Sequence, residues 1–384
     1  MTKKDVMLKA IEGRITWIQA ADILGISARH MRRIKTRYEE FGFDALRDHR
    51  GGKPRRKRIA LATVEKLLAL RRTRYADFSV RHFWEHATER HGLELSYTWA
   101  LLTLQAAGLA EKAPARGKYR RRRKRRPMRG MMLHLDASTH AWLGEDWPMA
   151  DLVVMLDDAD GRILFARFVE QEGTASTFAA LEHVLRRHGR FAELYTDRGS
   201  HFCRTSRAGA GPDEIQQGQV SRALRAVGIR QILARSPEAR GRSERAFGTI
   251  QGRLPQELKL AGITDYEAAN RYLDQAFIAD FNHRFTVKPA QSESAFVPLA
   301  GIDLRLLLSI QHQRVVANDN TVSFDRLVLQ LPPSRQRLHY ARCPVLVHEF
   351  PDRTIGVSYL GRLLATFNQQ GDLLTETKTR RKAA

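Results

Sequence analysis

The order of apolar and polar positions divides the chain into a helical first third, a mixed middle and a strand-rich end. Near the N-terminus, Ile18 and Ala21 recur at helical spacing before Gly25, which predicts a helix that ends at the glycine. Ser27 can cap a second helix that follows directly. The two helices outline a helix-turn-helix unit, and a second helical unit is predicted from about residue 63 to 109.

From residue 131 onward the apolar runs become short and β-branched, which is typical of strands. The predicted elements are strands at 131–136, 152–156 and 163–169, a helix at 174–188, a strand at 191–196, a helix at 217–227, a strand at 230–233, one long helix at 240–260 and a helix at 266–281. Three strands in a meander followed by alternating helices and strands predict an α/β layer with a mixed sheet. Six further short strands between 314 and 367 predict a small β-barrel.

The basic charge of the chain is regional. The net charge is +23, and residues 1–130 alone hold 33 Lys and Arg against 13 Asp and Glu. Charge concentrated in one third of a chain is an electrostatic footprint for nucleic acid. No apolar run approaches the ~20 residues of a spanning helix, so no membrane partner is expected. Two cysteines, Cys203 and Cys343, indicate a reducing compartment, and we expect a cytoplasmic protein that associates with DNA.

The cationic side chains predicted to bind DNA fall in three groups. The first is the outward face of the second N-terminal helix, which has the side chains of a recognition helix lying in a major groove. A plain helical hairpin with a solvated basic face is the alternative. The other two groups are dense basic arms. The candidates are Arg29, Arg32, Arg33, Lys35 and Arg37 in the helix, Arg55, Arg56, Lys57 and Arg58 in the first arm, and Arg120, Arg121, Arg122, Arg123, Lys124, Arg125 and Arg126 in the second.

Charge and periodicity together predict a multidomain chain. Its fold class is an all-α helix-turn-helix region, an α/β core with a mixed sheet and a small all-β C-terminal domain. The predicted domains are a helix-turn-helix domain (1–48), a basic linker (49–62), a second helical DNA-binding domain (63–112), a basic linker (113–130), the α/β core (131–290), a linker (291–312), a small β-barrel (313–370) and a basic tail (371–384).

Three carboxylates stand at element boundaries of the predicted core. Asp136 and Asp197 each follow an apolar strand, and Glu244 lies in the first turns of the long helix. If the first and fourth strands are neighbours, the two aspartates project side by side and a helix packed on the sheet can bring the glutamate alongside. Such a cluster would favour hard divalent ions with oxygen ligands. Taken singly, each Asp could be a turn former and the Glu a partner of the helix dipole. Glu238 is a rival to Glu244.

The residues around these carboxylates resemble the DDE transposases. Residues 196–202 read Thr-Asp-Arg-Gly-Ser-His-Phe and are similar to the second-aspartate motif of that superfamily. Residues 236–247 read Ser-Pro-Glu-Ala-Arg-Gly-Arg-Ser-Glu-Arg-Ala-Phe and resemble its glutamate motif. Together with residues 136–142 and 248–254, they are most similar to insertion-sequence transposases of the ISNCY group. The 46 residues between Asp197 and Glu244 exceed the familiar spacing, and residues 209–214 suggest a loop insertion.

The resemblance implies an RNase H-like catalytic core in which Asp136, Asp197 and Glu244 bind Mg²⁺, with Mn²⁺ as a substitute. It implies double-stranded DNA as the partner, both the terminal inverted repeats of an element and target DNA, and a homo-oligomer assembled on the DNA ends. The expected reaction is metal-dependent strand cleavage and strand transfer. A metal-dependent nuclease of the same fold is the enzymatic alternative. A decayed or domesticated copy that acts as a sequence-specific DNA-binding regulator is the alternative of another class.

Overall fold

A computed structural model describes residues 3–42, 59–112, 123–202, 218–234, 241–299, 301–333 and 337–376. The chain forms two compact units, residues 1–73 and residues 74–384. Within the described ranges, no helix is both long and apolar enough to span a bilayer.

The first unit contains the predicted helix-turn-helix. Its helices are α1 (Lys3–Ile11), α2 (Trp17–Ile23), α3 (Ala28–Phe41) and α4 (Leu61–Thr73). The backbone N–H of His30 donates to Ser27 Oγ at 3.3 Å, which caps α3 as predicted. Gly25 has a φ of +63°, a conformation that glycine adopts without strain. The core of the first three helices contains Ala20, Ala21 and Met31, whereas Ile18 is 68% exposed.

The second unit begins with α5 (Val80–Glu89) and α6 (Tyr97–Ala106). Ser79 and Ser96 cap these two helices through their hydroxyl oxygens. Helix α5 packs against the core of this unit. Its Glu85 accepts from Arg253 at 2.7 Å, and its Glu89 pairs with Arg284.

A five-stranded mixed sheet forms the centre of the second unit. Its strands are β1 (Met132–His140), β2 (Ala150–Asp157), β3 (Ile163–Val169), β4 (Glu193–Thr196) and β5 (Arg230–Leu233), in the spatial order β3-β2-β1-β4-β5. The first three strands pair antiparallel, and β4 pairs parallel to both β1 and β5. This order and pairing confirm the expected RNase H-like core with a mixed sheet.

Helices cover both faces of this sheet. One face carries α7 (Thr174–His188) and α8 (Gln219–Ala226), which pack on Leu133 and Leu135 of β1. The other face carries α9 (Gly241–Gln251), α10 (Leu254–Leu260), α11 (Tyr266–Tyr272) and α12 (Ile278–Phe285), with a π-helical turn at Leu273–Phe277 between the last two. Because strand side chains alternate, β1 presents successive residues to different helical layers.

Two predicted boundaries in the core were wrong. Strand β1 continues for four residues beyond Asp136, because every position from Leu133 to His140 pairs with β2. The helix predicted over 240–260 is two helices that separate at Gly252. A proline in the first turn of the second helix, Pro255, lacks the N–H that would continue the helix through this point.

The C-terminal region has antiparallel strands, as expected. They are β6 (Ile310–Val315), β7 (Thr321–Phe324), β8 (Leu327–Gln330), β9 (Pro344–Glu349), β10 (Ile355–Tyr359), β11 (Arg362–Phe367) and β12 (Leu373–Glu376). Five of them form an open sheet in the order β12-β11-β10-β9-β6, and β7 and β8 form a hairpin that shares its core. The described strands therefore form two sheets around one core, and the small β-barrel stays a prediction.

The segment predicted as a linker over 291–312 is packed on the core. It includes a short helix, α13 (Leu304–Leu307), whose Leu304 and Leu307 are buried beside α7 and α8. Just before β1, Gly130 has a φ of +78°. A Cβ added at Gly130 would lie 2.7 Å from the ring of Phe296, so residue 296 of this segment packs closely on the start of β1. The C-terminal strands are thus joined to the α/β core through a segment with buried contacts.

Candidate active site

The two predicted aspartates come from neighbouring strands of the sheet. In the parallel pairing of β1 with β4, Leu133 lies opposite Leu194 and His134 opposite Tyr195. Asp136 lies in β1, two residues beyond this paired stretch. Asp197 follows β4 directly, and its Oδ1 accepts the backbone N–H of Gly199 at 2.8 Å. The two aspartates therefore come from adjacent strands, as the sequence predicted.

The helix that carries the third carboxylate, Glu244, is held beside β1 by a contact at each of its ends. Near the C-terminal end of α9, Gln251 Nε2 donates to Ser138 Oγ at 2.9 Å. At its N-terminal end, Arg242 donates to the carboxylate of Asp158, which also contacts His134 Nε2 at 2.7 Å. Because His134 and Ser138 flank Asp136 on one face of β1, helix α9 runs along this face. Glu244 lies between the two anchors, in the first turn of α9 and exposed.

Asp158 is the hub of a buried polar network beneath the site. Its carboxylate accepts from Arg123 Nη2 at 2.5 Å and from the backbone N–H of Arg126 at 2.7 Å, besides its contacts with His134 and Arg242. Burial alone would raise the pKa of Asp158, but the hydrogen bonds of His134 and Arg126 and the nearby charges hold it well below the usual range. Burial also lowers the pKa of His134. The ionised Asp158 therefore fixes the start of α9 beside β1.

The pKa of the neighbouring Asp157 is shifted in the opposite direction. Its two carboxylate oxygens accept the backbone N–H groups of Gly130 and Ala159, each at 2.8 Å. Burial, with smaller contributions from the nearby charges of Asp160 and Asp158, raises the pKa of Asp157 to about 6 in spite of these hydrogen bonds. The carboxylates of this turn hold the chain at the entry to β1.

The ligand atoms of the three candidate carboxylates are not gathered at one point. Among the described residues, Asp136, Asp197 and Glu244 do not form a set whose oxygens all lie within 4.8 Å of one another. The donor set itself is made only of carboxylates, and hard divalent ions such as Mg²⁺ prefer oxygen ligands. The rival Glu238 lies outside the described residues.

The aromatic and histidine neighbours of the site have structural contacts. Trp142 is fully buried and donates from Nε1 to the carbonyl of Ala150 at 3.0 Å, so it is part of the core. The ring of His140 lies edge-on to Trp142. His201 Nε2 lies 3.6 Å from Glu172 Oε1.

The predicted DNA-binding side chains differ in their surroundings. On α3, Arg29, Arg32, Arg33 and Arg37 are exposed, and Lys35 lies 3.5 Å from Glu39. The first arm, residues 55–58, and residues 120–122 of the second arm lie outside the described residues.

Part of the second arm is bound to the core. Arg123 pairs with Asp158, and Arg126 Nη2 donates to Glu193 Oε2 at 2.6 Å. Arg125 Nη1 donates to the carbonyl of Asp158 at 3.2 Å, and Lys124 is exposed. These contacts would compete with phosphate for the same guanidinium groups.

Sequence reasoning missed the side chains that orient the site. Asp158 looked like an ordinary turn residue, and Arg242 looked like one more basic residue before Glu244. Their pairing joins residues 84 positions apart. No local sequence pattern predicts a contact between residues so far apart in the chain.

Comparisons with known proteins agree with these features. Residues 2–57 match a family model described as a helix-turn-helix domain. The chain is 32% identical over 362 residues to y4bF of Sinorhizobium fredii, a protein named as a transposase, and the match covers 94% of this chain and 79% of the relative. It is 28% identical over 360 residues to the transposase for insertion sequence IS1202 of Streptococcus pneumoniae, covering 84% of this chain and 76% of that protein.

Among solved structures, the chain is similar to a simian T-cell lymphotropic virus intasome, with 15% identity, a TM-score of 0.36 and coverage of 74% of this chain and 96% of that chain. It is also similar to the catalytic core domain of HTLV-2 integrase in complex with magnesium, with 16% identity, a TM-score of 0.30 and coverage of 39% and 88%.

Proposed function

Because the chain belongs to the transposases of insertion sequences, we propose that it binds the terminal inverted repeats of its element and catalyses metal-dependent cleavage and transfer of DNA strands. The observation that carries this proposal is the parallel pairing of β1, which contains Asp136, with β4, which Asp197 follows directly, together with Glu244 on the helix held along β1. Nucleic-acid cleavage and transfer is the activity common to such enzymes. The residue roles below are our proposal for this chain.

In this proposal, Asp136, Asp197 and Glu244 hold the divalent ion, Mg²⁺ in the first place and Mn²⁺ as a substitute. The bound ion would supply positive charge that activates the attacking oxygen and stabilises the leaving oxygen at phosphorus. The aspartates come from rigid neighbouring strands, whereas Glu244 comes from the first turn of a helix. Since the three carboxylates do not already converge, DNA and metal would complete the site by drawing Glu244 toward the strand ends.

The remaining proposed roles concern DNA. Exposed arginines of α3, such as Arg32 and Arg33, would contact the element ends, with Arg29, Lys35 and Arg37 beside them. The first basic arm would track phosphates. From the second arm, we propose only residues 120–122 and Lys124 as DNA contacts, because Arg123, Arg125 and Arg126 contact the core. We also propose that copies of the chain assemble on paired DNA ends.

The test is a cleavage and joining assay with the full chain, Mg²⁺ and linear DNA that carries the inverted repeats flanking its gene. We expect nicks at the 3′ ends of the element and joining of those ends to a target plasmid. DNA with scrambled ends serves as the control and should be neither cut nor joined. Equal cutting of scrambled ends would identify a nuclease, and tight binding without cutting would identify a DNA-binding regulator. Either result would overturn the proposal.

A further inference from the structure

A second cluster of potential metal ligands lies away from the three carboxylates, between α5 and α10. His82 and His86 are one turn apart on α5, so both rings project from the same side of the helix. Glu257 of α10 faces them, and its Oε1 lies 2.7 Å from His82 Nε2 and 2.6 Å from His86 Nε2. Within the described part of the chain, this is the group of three such side chains whose ligand atoms lie within 4.8 Å of one another.

The separation of the two imidazole nitrogens fits a shared metal ion. The two Nε2 atoms lie only 3.2 Å apart. A tetrahedral Zn²⁺ with Zn–N bonds of about 2.0–2.1 Å places neighbouring ligand atoms about 3.3 Å apart. The contacts of Glu257 Oε1 with the two nitrogens, at 2.7 and 2.6 Å, are of hydrogen-bond length, so binding of an ion would move this oxygen about 0.6 Å away from each nitrogen. Without an ion, both nitrogens must donate to the single oxygen of Glu257, which brings two N–H donors against each other.

The side chains of the cluster suit a transition-metal cation. Two imidazoles and one carboxylate form an N₂O donor set. Such a set selects borderline ions of the zinc type, whereas Mg²⁺ prefers oxygen ligands only.

The surroundings leave room for a fourth ligand. A cavity of about 160 Å³ is lined by the three side chains together with Arg90, Tyr272 and Phe277. This volume holds several waters, one of which could complete a tetrahedron. The other carboxyl oxygen of Glu257 is steadied by Tyr272 Oη at 3.4 Å and Arg90 Nη2 at 3.5 Å.

Two of the three arginines that line the cavity are paired with carboxylates other than Glu257. Arg253 Nη1 lies 2.7 Å from Glu85 Oε2. Arg284 pairs with both Glu89 and Asp280. These pairs leave the Oε1 atom of Glu257 directed at the two imidazoles, and they reduce the repulsion that a divalent ion would meet.

We propose that His82, His86 and Glu257 form a binding site for one divalent transition-metal ion of the zinc type, with a water molecule in the fourth position. The ion joins α5 to α10, and α10 directly follows the helix that carries Glu244. Its role is therefore to fasten the α5–α6 hairpin to the catalytic helices. This site and its test are independent of strand cleavage.

The test uses the full chain with Asp136→Asn, so that the proposed magnesium site does not contribute. After removal of metals with a chelator, we titrate the protein with Zn²⁺ by calorimetry and with Co²⁺ by visible absorption. We expect one ion per chain, with the intense absorption of a four-coordinate Co²⁺ that Zn²⁺ then displaces. Absence of saturable binding, or the weak spectrum of a six-coordinate ion, would overturn the proposal.

Variants separate a metal site from a structural hydrogen-bond cluster. His86→Asn should weaken zinc binding by more than the roughly 10- to 100-fold that loss of an outer-shell partner costs. Glu257→Gln keeps an acceptor for both histidines but loses the charged ligand, so it should remain folded and bind zinc comparably weakly. The matched control is His312→Asn, which removes the single histidine of an exposed His–Glu pair with the same 2.6 Å contact to Glu349. Unchanged zinc affinity in both cluster variants would contradict the assignment.

Discussion

Asp158→Asn should destabilise the catalytic core, because it removes the charge on which two arginines and a histidine converge. The Asp158 side chain is fully buried, Arg242 is 20% exposed and Arg123 is 47% exposed. Breaking a fully buried ion pair costs about 3–5 kcal/mol, whereas a surface pair contributes about 0–1 kcal/mol. Since Arg242 is mostly buried and Arg123 is half in water, we expect a loss of about 2–3 kcal/mol of unfolding free energy.

The assay is urea denaturation of the full chain followed by tryptophan fluorescence at neutral pH. Glu182→Gln is the matched control, because Glu182 forms an exposed helical pair with Arg186 and should contribute only about 0.3–0.5 kcal/mol. A double-mutant cycle with Arg242→Met should show a coupling of at least about 1 kcal/mol. An Asp158→Asn loss below about 0.5 kcal/mol, or additive effects in the cycle, would refute the network as the anchor of α9.

Three further predictions concern separate parts of the molecule. Replacing Arg32 and Arg33 with alanine should weaken binding to the element ends more than binding to random DNA in a gel-shift titration; an equal loss would make both residues phosphate contacts. Trp142→Ala should cost about 3–5 kcal/mol in urea denaturation, because the ring is fully buried, and a loss below about 1 kcal/mol would contradict its core position. Because the folded-state pKa of Asp158 is lowered, its contribution is present above the usual aspartate pKa of about 4 and is lost as the pH falls below it. The stability of Asp158→Asn should therefore fall less steeply with acid than that of the natural chain, and parallel pH profiles would exclude Asp158 as the cause.

The fold could be predicted largely from periodicity and local capping signals. Ser27, the turn after β2 and the helix α7 follow from residues adjacent in sequence, and the bounds of α7 are those predicted. Strand ends were less predictable, because pairing with β2 and not the local sequence extends β1 beyond Asp136. The break in the helix predicted over 240–260 was indicated locally by Gly252 and Pro255. The prediction gave more weight to the apolar residues that recur at helical spacing along this segment.

The site was predictable only in part, for a related reason. The aspartates and Glu244 follow from motif and position, whereas the residues that hold α9 in place come from distant segments. His82 and His86 carry a readable spacing of four residues on a helix, but their partner Glu257 lies 171 positions beyond His86. A pairing of that range depends on how α5 packs against α10, and no pattern within either helix indicates it.

The most direct test of the proposed catalytic site compares Glu244→Gln with Glu238→Gln in cleavage of element-end DNA with Mg²⁺. Both changes remove one charge from the same stretch of chain, and both proteins should bind the ends with the affinity of the natural chain. The account predicts that Glu244→Gln loses cleavage by roughly 100-fold or more, as expected when a metal ligand worth several kcal/mol in the transition state is lost. Glu238→Gln should retain activity. Normal cleavage by Glu244→Gln together with loss of cleavage in Glu238→Gln would contradict the assignment of the third carboxylate.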